Sequence, residues 1–194
     1  MENIATFKKA GESTTKFIEG VKPDQWDKIS NCAPQTVRDL VNHITSGNLW
    51  VKPLIEGKTI AEVGGQFEGD VLGDDPIKAW KDSLAQAIEA FNSEGAGEKI
   101  VHLSYGDFPG KSYAGDMSLD NLIHGWDIAV STKQKDDLPE DVVAVVWDLV
   151  QPNLKMFQES GIFGTPVEVP ESADLQTQLL GALGRDRSKF SSAA

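Results

Sequence analysis

A mainly α fold is what this chain predicts, on three observations. Apolar residues recur at three- and four-residue spacing in several long stretches, helix-starting residues stand in front of those stretches, and one short segment alone changes to a period of two. The simplest architecture for this set is all-α (mainly α): an up-and-down four-helix bundle with a short β-hairpin and a C-terminal extension.

The first helix is expected over about residues 3–19, with Ile4, Phe7, Phe17 and Ile18 as apolar positions and Gly20 as its stop. Pro23 then starts a short turn of helix around Trp26. The second helix follows Thr36, with Asp39 as the acidic half of a capping box and Val37, Leu40, Val41, Ile44, Val51, Leu54 and Ile55 at helical spacing up to Gly57. After a Gly- and Asp-rich connection from Gly64 to Asp75, Pro76 opens a third helix whose apolar face is Ile77, Trp80, Leu84, Ala87, Ile88 and Phe91.

Between Ile100 and Tyr113 the period shifts, and Gly106-Asp107-Phe108-Pro109-Gly110 reads as the turn of a hairpin. A fourth helix is expected over roughly 117–131. A fifth begins near Pro139, with Val142, Val145, Val146, Leu149, Leu154 and Phe157 facing inward and Pro152 kinking or splitting it. An extended segment from Phe163 to Pro170 and a short helix from Ala173 to Leu183 complete the pattern.

The 194 residues carry 18 Lys+Arg against 30 Asp+Glu, a formal charge of −12, and are 40% hydrophobic. That describes one domain, residues 1–187, with 188–194 as a frayed tail. A chain this acidic, without a basic cluster, lacks the electrostatic footprint for nucleic acid or an anionic membrane. No apolar run nears the roughly 18 residues of a membrane span. The single Cys32 offers no internal disulfide and the N-terminus lacks a signal-peptide pattern, so a cytoplasmic location is expected. Phosphate-loop, dinucleotide and nucleophile-elbow motifs are absent from the sequence, and Cys32, with no base adjacent in sequence, is a weak nucleophile candidate.

Chemistry concentrates on the histidines. On the fourth helix Leu119, Leu122, Ile123, Trp126 and Val130 form the buried stripe, and Asp120, His124, Asp127 and Ser131 fall on its neighbour. Asp120 and His124 therefore project together, a geometry that holds a divalent metal when a facing helix adds a ligand. His43 can be that ligand, and three protein ligands leave one coordination position for water or substrate. Spacing alone leaves a solvent-facing Asp-His pair or a hydrogen-bonded core histidine open. Asp127 is read as a hydrogen-bond partner that orients a ligand imidazole, the competing reading being a helix-surface carboxylate. His102, Tyr105 and Tyr113 are candidates for lining the pocket mouth, with plain packing as the alternative.

Three segments make the chain more than a generic bundle: Cys32-Ala33-Pro34-Gln35-Thr36-Val37-Arg38-Asp39-Leu40-Val41-Asn42-His43-Ile44, Asp120-Asn121-Leu122-Ile123-His124-Gly125-Trp126-Asp127-Ile128-Ala129, and Leu179-Leu180-Gly181-Ala182-Leu183-Gly184-Arg185. They resemble the DinB-like superfamily and, more narrowly, the metal-binding domain of mycothiol-dependent maleylpyruvate isomerases and its short single-domain relatives. The resemblance implies a divalent metal, usually zinc, held by His43, Asp120 and His124; the carboxylate in the isomerase is usually glutamate, for which Asp120 is shorter. It also implies a low-molecular-weight thiol as co-substrate, mycothiol or, as in other members, bacillithiol. The isomerase has a second, C-terminal domain that contributes to its active site, and this chain ends soon after Arg185. The leading expectation is a metal- and thiol-dependent transferase or isomerase acting on a small electrophile. A metal-activated-water hydrolase and a non-catalytic metal- or ligand-binding bundle are the alternatives, and spare apolar helix faces allow a homodimer.

Overall fold

Thr36 does what its sequence context predicts. Its hydroxyl accepts from the Asp39 backbone N–H at 3.1 Å while Asp39 Oδ2 accepts from the Thr36 N–H at 2.9 Å. That capping box satisfies donors the first turn would otherwise leave unpaired, and it fixes the start of a long helix. In the computed structural model, which describes residues 2–159 and 161–190, this helix is α2 (Val37–Ile55), preceded by α1 (Glu2–Glu19) and followed by α3 (Ile60–Val63) and α4 (Pro76–Phe91). The hairpin strands β1 (Ile100–Leu103) and β2 (Gly106–Pro109) lead into α5 (Gly110–Ser131). Then come α6 (Glu140–Val150), α7 (Leu154–Glu159) and α8 (Leu175–Ala182). The chain divides into two units, Met1–Asp136 and Asp137–Ala194.

The first unit is the bundle. Helix α1 packs on α4 and α5, and α2 packs on the same two, so α1 stands diagonal to α2 and α4 diagonal to α5. The core they enclose includes Phe7, Ile18, Leu40, Ile44, Leu54, Trp80, Phe91 and Ile128. Each such side chain, taken fully out of water, contributes about 1.5–3 kcal/mol. Phe7 and Phe91 meet edge to face with centroids 5.0 Å apart. Trp80 and Trp126 bury their rings and keep their N–H groups bonded, to Thr15 Oγ1 at 2.8 Å and Asp136 Oδ2 at 3.1 Å. A polar thread crosses this core: the Thr14 hydroxyl donates to the Asn121 carbonyl at 2.7 Å, and Asn121 Nδ2 donates to Asn48 Oδ1 at 3.3 Å. Gly125 permits the close approach of α1 and α5, since a Cβ there would stand 2.4 Å from Thr14 Oγ1.

The structure moves several expected boundaries. The hairpin turns at Ser104-Tyr105, because Leu103 pairs with Gly106, and the run expected to turn forms β2 instead. Pro109-Gly110 starts α5 seven residues before the expected position and carries Tyr113 into the helix; at Gly110 a Cβ would lie 2.1 Å from the Ala96 carbonyl oxygen. Around Trp26 there are turns in place of a helix, and the connection after α2 contains α3, whose Thr59 and Glu62 repeat the capping box.

In the second unit Pro152 sits in a 3-10 turn, Gln151–Asn153, that separates α6 from α7. The buried positions of α6 are Val142, Val143, Val146 and Val150; Val145 and Leu149 are only half-buried, because the stripe rotates toward Val143. Helix α8 packs on α6, and the extended segment before it docks through the Val167 N–H on the Gly181 carbonyl at 2.9 Å. Of the tail expected to fray, Ser188 and Lys189 lie in a short 3-10 turn capped by Asp186, and 191–194 lie outside the described residues. Among the described residues, no helix is long and apolar enough to cross a membrane.

Candidate metal centre

Helix phase brings the expected ligands together. With Val37, Leu40, Val41 and Ile44 fully buried, His43 is left at the edge of α2 that borders α5, and its side chain is 51% exposed. On α5 the buried Leu119, Leu122, Ile123 and Trp126 likewise turn Asp120 and His124 to the edge facing α2. Asp120 Oδ1 lies 3.6 Å from His43 Nε2 and 3.5 Å from His124 Nε2. The two imidazoles stand perpendicular, centroids 5.2 Å apart. One ligand atom from each of the three residues lies within 4.8 Å of the others.

These residues fit a divalent ion. Bonds near 2.0–2.1 Å to two imidazole nitrogens and a carboxylate oxygen give tetrahedral N···O edges of about 3.3 Å, close to the separations found. The chemistry of the set agrees: an ionised carboxylate and two neutral imidazole lone pairs all accept, and a cation suits acceptors brought this close. Without one, the set needs a proton, and the hydrogen-bonding approach of Asp120 does raise the His43 imidazole above its usual range, with the Asp120 charge adding to this against desolvation.

On the other edge of the His124 ring, Nδ1 lies 3.1 Å from Asp127 Oδ2. Asp127 is fully buried, which excludes the helix-surface reading. Asn31 Nδ2 donates to its Oδ1 at 2.7 Å and the Cys32 thiol donates to its Oδ2 at 3.0 Å. Cys32, His124 and Asp127 form a second group whose donor atoms lie within 4.8 Å of one another. Sequence reasoning had no use for Asn31 and missed this place for Cys32, because they sit in a loop about 95 residues from Asp127 that no helical spacing connects to it.

The hairpin residues separate. Tyr113, buried on α5, has its hydroxyl pushed up by burial and by the charges of Asp120 and Asp116. Tyr105 donates to Asp116 Oδ2 at 2.8 Å, and burial raises the Asp116 carboxyl. Asp116 stands one helical turn before Asp120, a spacing that the sequence displays. His102 instead bonds Asp107, its cross-strand partner, at 2.8 Å and is half-exposed; among the described residues it belongs to no metal-competent group. On α2, one turn beyond His43, a Cβ at Gly47 would make ordinary van der Waals contact with Met117 Cε at 3.4 Å and Asp120 Oδ2 at 4.0 Å, so this position borders the site.

The family model described as the mycothiol maleylpyruvate isomerase N-terminal domain matches residues 7–129, a span that contains His43, Asp120, His124 and Asp127. An uncharacterized protein of Mycobacterium tuberculosis, present in strains CDC 1551 / Oshkosh and ATCC 25618 / H37Rv, is 27% identical over 142 residues, covering 73% of this chain and 74% of its own length. No solved structure matches the chain.

Proposed function

Because the chain belongs to the mycothiol maleylpyruvate isomerase N-terminal domain family, a mycothiol-related, metal-binding family, we propose that it is a divalent-metal-dependent enzyme that transfers or uses a low-molecular-weight thiol. Its substrate is a small electrophile. The observation that carries this reading is the convergence of three acceptors, His43, Asp120 and His124, at one edge of the bundle. They are the ligands, with zinc as the first expected ion and mycothiol as the thiol. A divalent ion held there lowers the proton affinity of a coordinating thiol enough to make it a thiolate near neutral pH.

The chain's own residues do the rest. Asp127 accepts the Nδ1 proton of His124, which leaves the Nε2 lone pair directed toward Asp120 and holds the ring in one tautomer. His43 and Asp120 are partly exposed, so a small molecule can approach from solvent. Tyr105 and Asp116 line that approach, with the Tyr105 hydroxyl holding Asp116 by hydrogen bond, while Tyr113 packs in the core against Phe91. Burial raises the Asp116 carboxyl above its ordinary range, against the Tyr105 hydrogen bond, which lowers it. Reduced thiols of this class, and the formal charge of −12, fit a cytoplasmic protein that handles small molecules and avoids polyanions. A homodimer through spare apolar faces belongs to the same proposal.

Calorimetric titration of zinc-loaded protein with mycothiol tests it. One thiol bound per metal, with proton release that grows as pH falls below the free thiol's pKa, is the expected result. No binding at millimolar thiol, together with metal-dependent hydrolysis, would shift the chemistry to activated water. Absence of both would leave a binding module.

A further inference from the structure

The segment Ser30-Asn31-Cys32 has no regular secondary structure, yet its backbone is pinned at both ends. The Ser30 hydroxyl donates to the Gln35 carbonyl at 2.9 Å and accepts from the Cys32 N–H at 3.1 Å. The Asn31 N–H donates to Ser131 Oγ at 2.8 Å, and that hydroxyl donates to the Asp127 carbonyl at 2.5 Å. The loop is thereby fastened to α5 at Ser131, one turn beyond Asp127, and its two side chains reach the Asp127 carboxylate.

We propose that Asn31 and Cys32 are positioning residues for His124, acting through Asp127, and this rests on the metal reading above. The Asp127 carboxylate offers about four lone-pair sites, and three donors take three of them: the Asn31 amide on Oδ1, and the Cys32 thiol and His124 Nδ1–H on Oδ2. With Oδ1 held at 2.7 Å, the carboxylate cannot turn about its last bond without losing the amide, so Oδ2 stays opposite the imidazole. His124 then keeps its proton on Nδ1 and its lone pair on Nε2, the form a ligand must have.

The competing reading makes Cys32 itself a ligand beside His124 and Asp127. It requires His124 to give up the Nδ1 proton that Asp127 holds, which would take His124 from the set it shares with His43. The distances favour the clamp: 3.0 Å from Sγ to Oδ2 and 3.1 Å from Nδ1 to Oδ2 are hydrogen bonds, whereas Sγ stands 3.8 Å from Nδ1.

Two readouts on the full chain decide the matter. In metal-free protein, long-range nitrogen-15 correlation spectra report which His124 nitrogen bears the proton. The wild type should show Nδ1–H, and an Asn31→Ala, Cys32→Ala double variant should show a mixture with Nε2–H. In cobalt(II) titrations the double variant should lose about tenfold in affinity, the lower end of what partners of ligand histidines contribute, while Cys32→Ser, which still donates to Asp127, should stay within about twofold of wild type. Thermal unfolding of each variant separates these effects from loss of fold, and the Cys32→Ala single variant carries both readouts if the double variant fails to fold. An Nε2–H tautomer in the wild type, or unchanged tautomer and affinity in the double variant, would overturn the clamp. So would a thiolate-to-cobalt charge-transfer band lost in Cys32→Ser, since Cys32 would then be a ligand. If the wild type takes up no cobalt, the metal reading fails while the tautomer spectra still decide the clamp.

Discussion

The two edges of the His124 ring face unlike surroundings. The Nδ1 edge is closed: Asp127 is fully buried and held by a loop that is itself fastened at Ser131. The Nε2 edge is accessible: Asp120 is 32% and His43 is 51% exposed. One side fixes an orientation and the other receives a ligand, and the difference teaches where substitution should cost stability and where it should cost binding alone.

The closed edge should break hardest. Asp127→Ala removes the acceptor from the exposed Asn31 and from the partly buried Cys32 and His124, and leaving a buried donor unpaired costs about 1–3 kcal/mol in the worst case. A total loss of about 3 kcal/mol in urea unfolding is expected, with metal affinity falling about 10- to 100-fold. A stability change under about 0.5 kcal/mol would show that the carboxylate is not clamped. His43→Ala on the accessible edge sharpens the contrast: unfolding free energy within about 0.5 kcal/mol of wild type, as for exposed positions, and metal affinity reduced at least tenfold. Equal losses of stability from the two variants would erase the difference between the edges.

A smaller effect tests how α2 sets the phase of His43. Thr36→Ala should cost about 1 kcal/mol by removing the cap. The same cap carries a pH signature. Bonds from Thr36 hold the Asp39 carboxyl below its ordinary range in the folded chain, so its stabilisation is present above the ordinary value of 3.8 and is lost as pH falls through the lower, folded value. Asp39→Asn should flatten that acid limb, and acid titration of unfolding in both proteins checks it. The smallest effect belongs to the hairpin: His102→Ala, which removes a half-exposed pair with Asp107, should move stability by less than about 0.5 kcal/mol and leave metal uptake unchanged.

The accessible edge was legible in the sequence and most of the closed edge was not. The Thr36 and Asp39 pair and the apolar stripes of α2 and α5 fix where His43, Asp120 and His124 point, because helical phase is a local property. Asp127 shared the stripe of Asp120 and His124, which left an imidazole partner and a helix-surface carboxylate both open until its burial was seen. Asn31 and Cys32 reach it through tertiary contacts of an irregular loop, which no period encodes. The hairpin shows the same limit in reverse. Gly106 to Gly110 has turn composition, yet the pairing of Leu103 with Gly106 puts the turn earlier, and Pro109-Gly110 serves as the start of α5 because Gly110 must pass the Ala96 carbonyl. Single-residue chemistry made His102 a candidate for the pocket mouth, with plain packing as the alternative, whereas the register gave it Asp107.

Metal content of the purified chain, measured after equilibration with zinc and removal of excess, tests the central claim most directly. The account predicts about one ion per chain in the wild type and loss of it in a His43→Ala, His124→Ala double variant that still unfolds cooperatively. Undiminished zinc in that double variant would contradict the assignment of His43, Asp120 and His124 as the metal centre.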